Sequence, residues 1–163
     1  MGAVFEDARL LAARGLTRDA LVVLDEVLRE EPDHVPALLL RAALLLAARE
    51  GEAALVLYER AAALAPESAE AWNGLARCLH ALARDEEALR SAERARSLLP
   101  LGDNFRHASP VYLTLVWCLR ELSRLKEALA AAEEGLERCP DAILAQWAGV
   151  VEEELAEAEK EEC

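Results

Sequence analysis

The sequence predicts an all-α fold built from a repeated pair of helices. Three observations carry that expectation. The bulk of the 163 residues is Ala, Leu, Glu and Arg, all good helix formers. Val, Ile and Thr are sparse, and no alternating strand pattern appears. Third, Pro32, Pro66 and Pro100 are spaced by 34 residues, and so are Ala20, Ala54 and Ala88, and Ala8, Ala42 and Ala76. Three columns at one period are the mark of a repeat array, in which each unit is one supersecondary element.

The units run 1–34, 35–68, 69–102 and 109–142, and a last helix occupies 143–163. The first unit carries Ala8 and Ala20 and ends on Pro32. The second contains "ALLLRAALLLAA", the most apolar run. At twelve residues with Arg41 inside it, the run is too short and too charged to span a bilayer and suits a buried helix. In the third unit Trp72, Leu75, Ala76 and Leu79 stand at i, i+3, i+4 and i+7, one helix face. "RDEE" follows as a turn, and Ala88, Ala92 and Ala95 line the second helix. Small side chains there let two helix backbones approach closely. Proline stops each second helix by removing an N–H donor and restricting the residue before it. The fourth unit resumes the period after six inserted residues, 103–108, with Ala128 and Pro140 in place. Ser109-Pro110 reads as an N-cap followed by a proline in the first turn. In the last helix Leu144, Trp147, Val151 and Leu155 form one apolar stripe, which suits a cap with a polar outer face. Its Glu-rich end sets negative charge at a helix C-terminus, which the dipole disfavours. Fraying is expected after about Ala156.

Charge and cysteine usage narrow the class. A formal net charge of −13 argues against nucleic acid, which needs a basic face, and against an anionic membrane surface. Part of the excess is local, since 152–162 holds seven Glu and one Lys. The bases are almost all Arg, with only Lys126 and Lys160 as Lys, a composition that suits a GC-rich bacterial genome. Glu6 and Asp7 stand where a secretory signal would be basic and then apolar. Cys78, Cys118, Cys139 and Cys163 form no CxxC pair, and none has a His at zinc-ligand spacing. Reduced thiols and a cytoplasmic location follow, with Cys78 and Cys118 as small core residues. No metal or cofactor is expected.

Together these residues resemble the tetratricopeptide repeat (TPR) pattern. It has a bulky residue at position four of a 34-residue unit, Leu at seven, small residues at eight, twenty and twenty-seven, and Pro at thirty-two. Trp72, Leu75, Ala76, Leu79, Ala88, Ala95 and Pro100 fit it. So do Leu38, Ala42, Leu45, Ala54, Tyr58, Ala61 and Pro66, and Tyr112, Leu115, Leu119, Ala128, Gly135 and Pro140. The resemblance implies a right-handed α-solenoid whose concave channel is lined by the first helix of each unit. It covers roughly residues 1 to 142. Position seven departs from it, with Asp7 in the first unit and Arg41 in the second. Their charges are candidates for an ion pair across the first interface.

By resemblance, positions five, nine and twelve look into the channel. They are Phe5, Arg9 and Ala12; Leu39, Ala43 and Leu46; Asn73, Arg77 and His80; and Leu113, Trp117 and Arg120. Aromatic and Arg side chains are the types enriched at binding hot spots. An Arg holds a carboxylate by two parallel hydrogen bonds. The implied partner is a protein or peptide segment with apolar anchors and at least one carboxylate. The lining does not match the clamp by which some TPR adaptors hold chaperone C-termini, because Phe5, Arg9 and Leu40 replace its polar residues and only Asn73 agrees in type. Phe105, Arg106 and His107, in the stretch "LGDNFRHA", are candidate loop contacts or part of a longer solvated connection. Cys78 and His80 are two apart, and such residues do not face each other on a helix. With no phosphate loop, paired-His motif or triad, no catalytic residue is assigned. A binding module leads. A self-associating scaffold, using Val4, Phe5 and Trp147, and a small chaperone for an exported protein are the alternatives. His34, at a unit junction, reads as a helix-start residue.

Overall fold

A computed structural model describes residues 2–100 and 108–161. Nine α-helices and no strands occupy the described residues: α1 (Gly2–Ala13), α2 (Thr17–Glu30), α3 (Val35–Ala47), α4 (Gly51–Leu64), α5 (Ala69–Ala81), α6 (Asp85–Ser97), α7 (Ser109–Glu121), α8 (Leu125–Arg138) and α9 (Ala142–Glu161). Each helix packs on the next, and successive odd-numbered helices also touch, α1 on α3 through to α7 on α9. The backbones of successive even-numbered helices stay farther apart, and α6 and α8 meet through the long side chains of Arg96 and Glu134. The stack is therefore narrower on its odd-helix side, and this difference bends it into a solenoid with an inner wall of α1, α3, α5, α7 and α9.

The alanine columns explain the close packing. Ala8, Ala20, Ala42, Ala54, Ala76, Ala88 and Ala128 are all fully buried. Two glycines go further. A Cβ at Gly74 would run into the ring of Tyr58, and one at Gly135 would stand 2.6 Å from Leu144 and 2.7 Å from Tyr112. Both rings are buried, so each glycine is the recess that receives a tyrosine from a neighbouring helix. One apolar core runs from α3 to α9, and Ala8, Leu24, Val27 and Ala37 form a smaller one beneath the first helices. Cys78 and Cys118 belong to the main core.

A structural period appears at the turns inside the pairs. Gly15, Arg49, Ala83 and Ser123 have φ of 75°, 67°, 57° and 57°, the left-handed region that ends many helices. Each turn is closed by a following N–H that reaches five residues back, Leu16 to Leu11, Glu50 to Leu45, Arg84 to Leu79 and Arg124 to Leu119. The α3 and α5 starts are capped in turn. His34 Nδ1 accepts from the Ala37 N–H at 3.1 Å, and Ser68 Oγ from the Ala71 N–H at 3.2 Å. His34 is thus a helix-start residue.

Three expectations are corrected. Arg41 pairs with Asp25 of α2 at 2.8 Å, not with Asp7, which is exposed on α1. The preceding second helix, not the preceding first helix, offers the carboxylate within reach. Ser109 is not the cap of α7 but its first helical residue, one earlier than the Ser-Pro signal implies, and Ala108 holds the cap position. The α9 helix continues to Glu161 rather than ending near Ala156. Leu155 and Ala158 face Ser123–Glu127 of the α7–α8 turn across a shared pocket, and Lys126 reaches Glu159 at 3.4 Å. Docking outweighs the dipole.

Two stability outcomes follow. Arg49→Gly removes the cost of a left-handed side-chain-bearing residue, about 1–2 kcal/mol, against about 0.4–1 kcal/mol of added unfolded-state entropy. Thermal unfolding should move up by about 2 °C. Gly135→Ala overpacks the Tyr112 recess and should cost about 1–3 kcal/mol, read as a lower urea midpoint with unchanged slope.

Candidate functional site

The inner wall collects most of the sequence-predicted channel residues in two groups. Near the N-terminus Phe5, Arg9, Pro36, Leu39, Leu40, Ala43 and Glu70 line an open groove of about 350 Å³. The Phe5 ring lies 5.0 Å from the His34 ring, tilted by 52°. Arg9 is exposed, but its guanidinium is held by Glu6 one turn earlier, at 2.9 and 3.1 Å.

Toward the C-terminus the rings line up along the wall. His80 of α5 stacks on Trp117 of α7, centroids 6.4 Å apart and planes 19° apart. Trp117 meets Trp147 of α9 edge-on at 6.1 Å. The Arg120 guanidinium lies 5.7 Å over the Trp147 ring, in reach of a cation–π attraction. It is gripped by Glu154 through bonds of 2.7, 2.8 and 3.0 Å, with Glu121 at 3.3 Å. This pairing holds the Glu154 carboxyl below its ordinary pKa and raises that of Arg120. Trp147 and Glu154 lie outside the predicted lining, which stops at the fourth unit and assigns α9 to a cap. Counting the period on from residue 109 sets them at positions five and twelve of one more first helix, a signal the sequence does carry.

The remaining lining residues differ in access. Leu39, Asn73 and Leu113 are buried, Phe5, Leu46, His80, Trp117 and Arg120 half-buried, and Arg9 and Arg77 exposed. Arg77 has no ion-pair partner among the described residues. Two buried polar atoms of the wall lack a hydrogen-bond partner, Asn73 Oδ1 and Trp117 Nε1. Phe105, Arg106 and His107 lie outside the described residues.

Folding also brings together what the chain keeps apart. His80 at the end of α5, Asp85 at the start of α6 and Cys118 in α7 place ligand atoms within 4.8 Å of one another. His80 Nδ1 and Asp85 Oδ1 are 2.6 Å apart. Burial first, and then the nearby Asp85 charge, push the Cys118 thiol up to about 12. A raised thiol pKa leaves little thiolate at neutral pH. Cys78 is pushed up to about 11, chiefly by burial, and donates to the Gly51 carbonyl at 3.2 Å.

The lowered Glu154 carboxyl fixes a pH response. A depressed folded-state pKa stabilises the fold at neutral pH, and that contribution is lost as pH falls from the ordinary carboxylate range through the lowered value. Acidification should release α9 from α7 and change the emission of Trp147. In Glu154→Gln the α9-dependent part of that change should vanish, with weaker α9 protection in hydrogen exchange already at pH 7.

Models of the tetratricopeptide repeat match residues 5–68 and 45–100. No curated protein matches the sequence. Among solved structures, MamA superposes with a TM-score of 0.76 at 21% identity, covering 91% of this chain and 84% of that one. YrrB, described as a TPR protein with an unusual peptide-binding site, gives 0.70 at 22% identity over 91% and 74%. Pseudomonas aeruginosa pilF gives 0.82 at 20% identity over 96% and 69%. At these identities the likeness is one of fold. No helix among the described residues is long and apolar enough to cross a membrane. The alanine columns, the curved stack and the repeat matches agree: the chain belongs to the tetratricopeptide repeat family, whose members are in general non-enzymatic protein–protein interaction modules.

Proposed function

We propose that this chain captures a peptide or protein segment along its inner wall, with the row His80–Trp117–Trp147 as the anchor. One observation carries the reading: the Trp117 ring is only half-buried, yet its Nε1–H is fully buried and unpartnered. An unsatisfied buried donor costs about 1–3 kcal/mol. A carbonyl of a bound segment, reached by a small ring movement, would repay that cost. Asn73 Oδ1, also unpartnered, offers an acceptor to a backbone N–H.

Charge refines the partner. Of the three lining arginines, Arg9 and Arg120 are occupied by Glu6 and Glu154. Arg77 is left to receive a carboxylate of the ligand. The chain's net charge of −13 repels a strongly acidic partner, so the segment carries apolar anchors and few acids. The chain works by shape and anchor recognition, without a chemical step.

The test is affinity capture from native lysate with the wild type, an Arg77→Ala/Trp117→Ala variant, and Val56→Ser on the even-helix side, where Val56 is exposed. A partner retained by the wild type and Val56→Ser but lost by the double variant is the expected result. Loss of two anchors of this kind should weaken binding by about a hundredfold or more, at about 1–2 kcal/mol each. Equal capture by all three would move the binding surface off the inner wall.

A further inference from the structure

We propose that His80, Asp85 and Cys118 bind one thiophilic divalent cation of the zinc class. The three side chains come from α5, α6 and α7 and offer one nitrogen, one oxygen and one sulfur within 4.8 Å of one another. That donor set is borderline-soft, the kind zinc takes with His, Asp and Cys. Among the described residues no other group of three such side chains comes together.

The geometry is close to what coordination needs. Bonds of about 2.0–2.3 Å in a tetrahedron separate ligand atoms by about 3.3–3.8 Å. The His80–Asp85 contact of 2.6 Å must open slightly, and the Cys118 sulfur must stay or close slightly. Side-chain rotation supplies both, since the backbones are helical and packed. Cys118 is fully buried, which fixes the sulfur. The Trp117 ring stacked on His80 limits the imidazole. The His80 and Asp85 side chains keep 28% and 20% of their exposure, so solvent reaches the fourth position and water completes the shell.

On binding, the neutral imidazole carries its proton on Nε2, which frees Nδ1, and the hydrogen bond between His80 and Asp85 is exchanged for two bonds to the ion. The Cys118 thiol gives its proton to solvent, and the cation then faces a thiolate, an imidazole and a carboxylate. Such an ion ties α5 and α6 of the third unit to α7 of the fourth, across residues 101–107. It also sits one residue from Trp117, so occupancy would stiffen the ring row.

The experiment titrates the full chain, stripped with a chelator, first with Co2+ and then with Zn2+. The expected result is one equivalent of Co2+, a sulfur-to-cobalt charge-transfer band in the near ultraviolet, and displacement by Zn2+. Cys118→Ser abolishes the band, while Cys139→Ser and Cys163→Ser keep it. His80→Ala and Asp85→Asn each weaken Co2+ binding by about tenfold or more. No band in the wild type, a band that survives Cys118→Ser, or one lost in Cys163→Ser would overturn the proposal. Should Cys118→Ser lose helical circular dichroism, the two other variants decide, and unchanged affinity in both overturns it.

Discussion

Everything in this molecule depends on how closely two helix backbones can approach. The fully buried alanines of the first and second helices present almost no side chain to each other. Packing distance in the first three pairs is then set by main chain and Cβ, while the fourth carries Val116 where they have Ala8, Ala42 and Ala76. Repeating one pair geometry gives a solenoid, because a constant offset between neighbours accumulates. The larger residues occupy what this leaves open. Tyr58 of α4 enters the Gly74 recess of α5 and registers the second pair on the third, while Tyr112 of α7 enters the Gly135 recess of α8 and locks the two helices of the fourth pair together. The inner wall, and with it the row of rings, is a consequence of that spacing.

Electrostatics then sorts the wall. The chain is acidic overall, and about half of its arginines are spent on its own carboxylates, among them Arg60 on Asp33, Arg84 on Glu87, Arg124 on Glu127 and Arg120 on Glu154. Exposed pairs of this kind are worth little individually. Their larger effect is on availability. An arginine already gripped by two oxygens offers a ligand carboxylate only an exchange, so composition overstates the cationic capacity of the wall. Arg77 is the exception on the predicted lining.

Fold and candidate site were legible to different depths. Helices, turns and the period could be read because each pair obeys the same local rules, and Pro32, Pro66, Pro100 and Pro140 mark its end. The Arg41–Asp25 pair could not be read from column logic. Equivalent positions suggested a first-helix partner, whereas the second helix lies nearer to the guanidinium. The turn residues Arg49, Ala83 and Ser123 gave no glycine signal for their left-handed backbone, since tertiary packing imposes that conformation. The His80–Asp85–Cys118 cluster was invisible to spacing rules, which look for ligands on one helix or hairpin. Here the ligands are 5 and 33 residues apart along the chain, and only stacking joins them.

The joint between the third and fourth units shows how the array tolerates an interruption. Six residues are inserted there, yet α6 packs on α7 and α5 on α7 as at the other joints. Side chains bridge the break. Tyr112 donates to Glu134 at 2.7 Å and accepts from Arg138 at 2.8 Å, while Arg138 also reaches the Pro100 carbonyl at 3.3 Å. Arg96 of α6 holds the other Glu134 oxygen at 3.2 Å. One tyrosine, seated in its glycine recess, thus links α6, α7 and α8 through a charge-assisted network. His80 stacks on Trp117 across the same joint, on the inner wall. The interrupted joint is therefore secured by polar side chains as well as by the small-residue spacing used elsewhere. The proposed ring row and the proposed cation site share that joint through His80 of α5 and its neighbours Trp117 and Cys118 of α7.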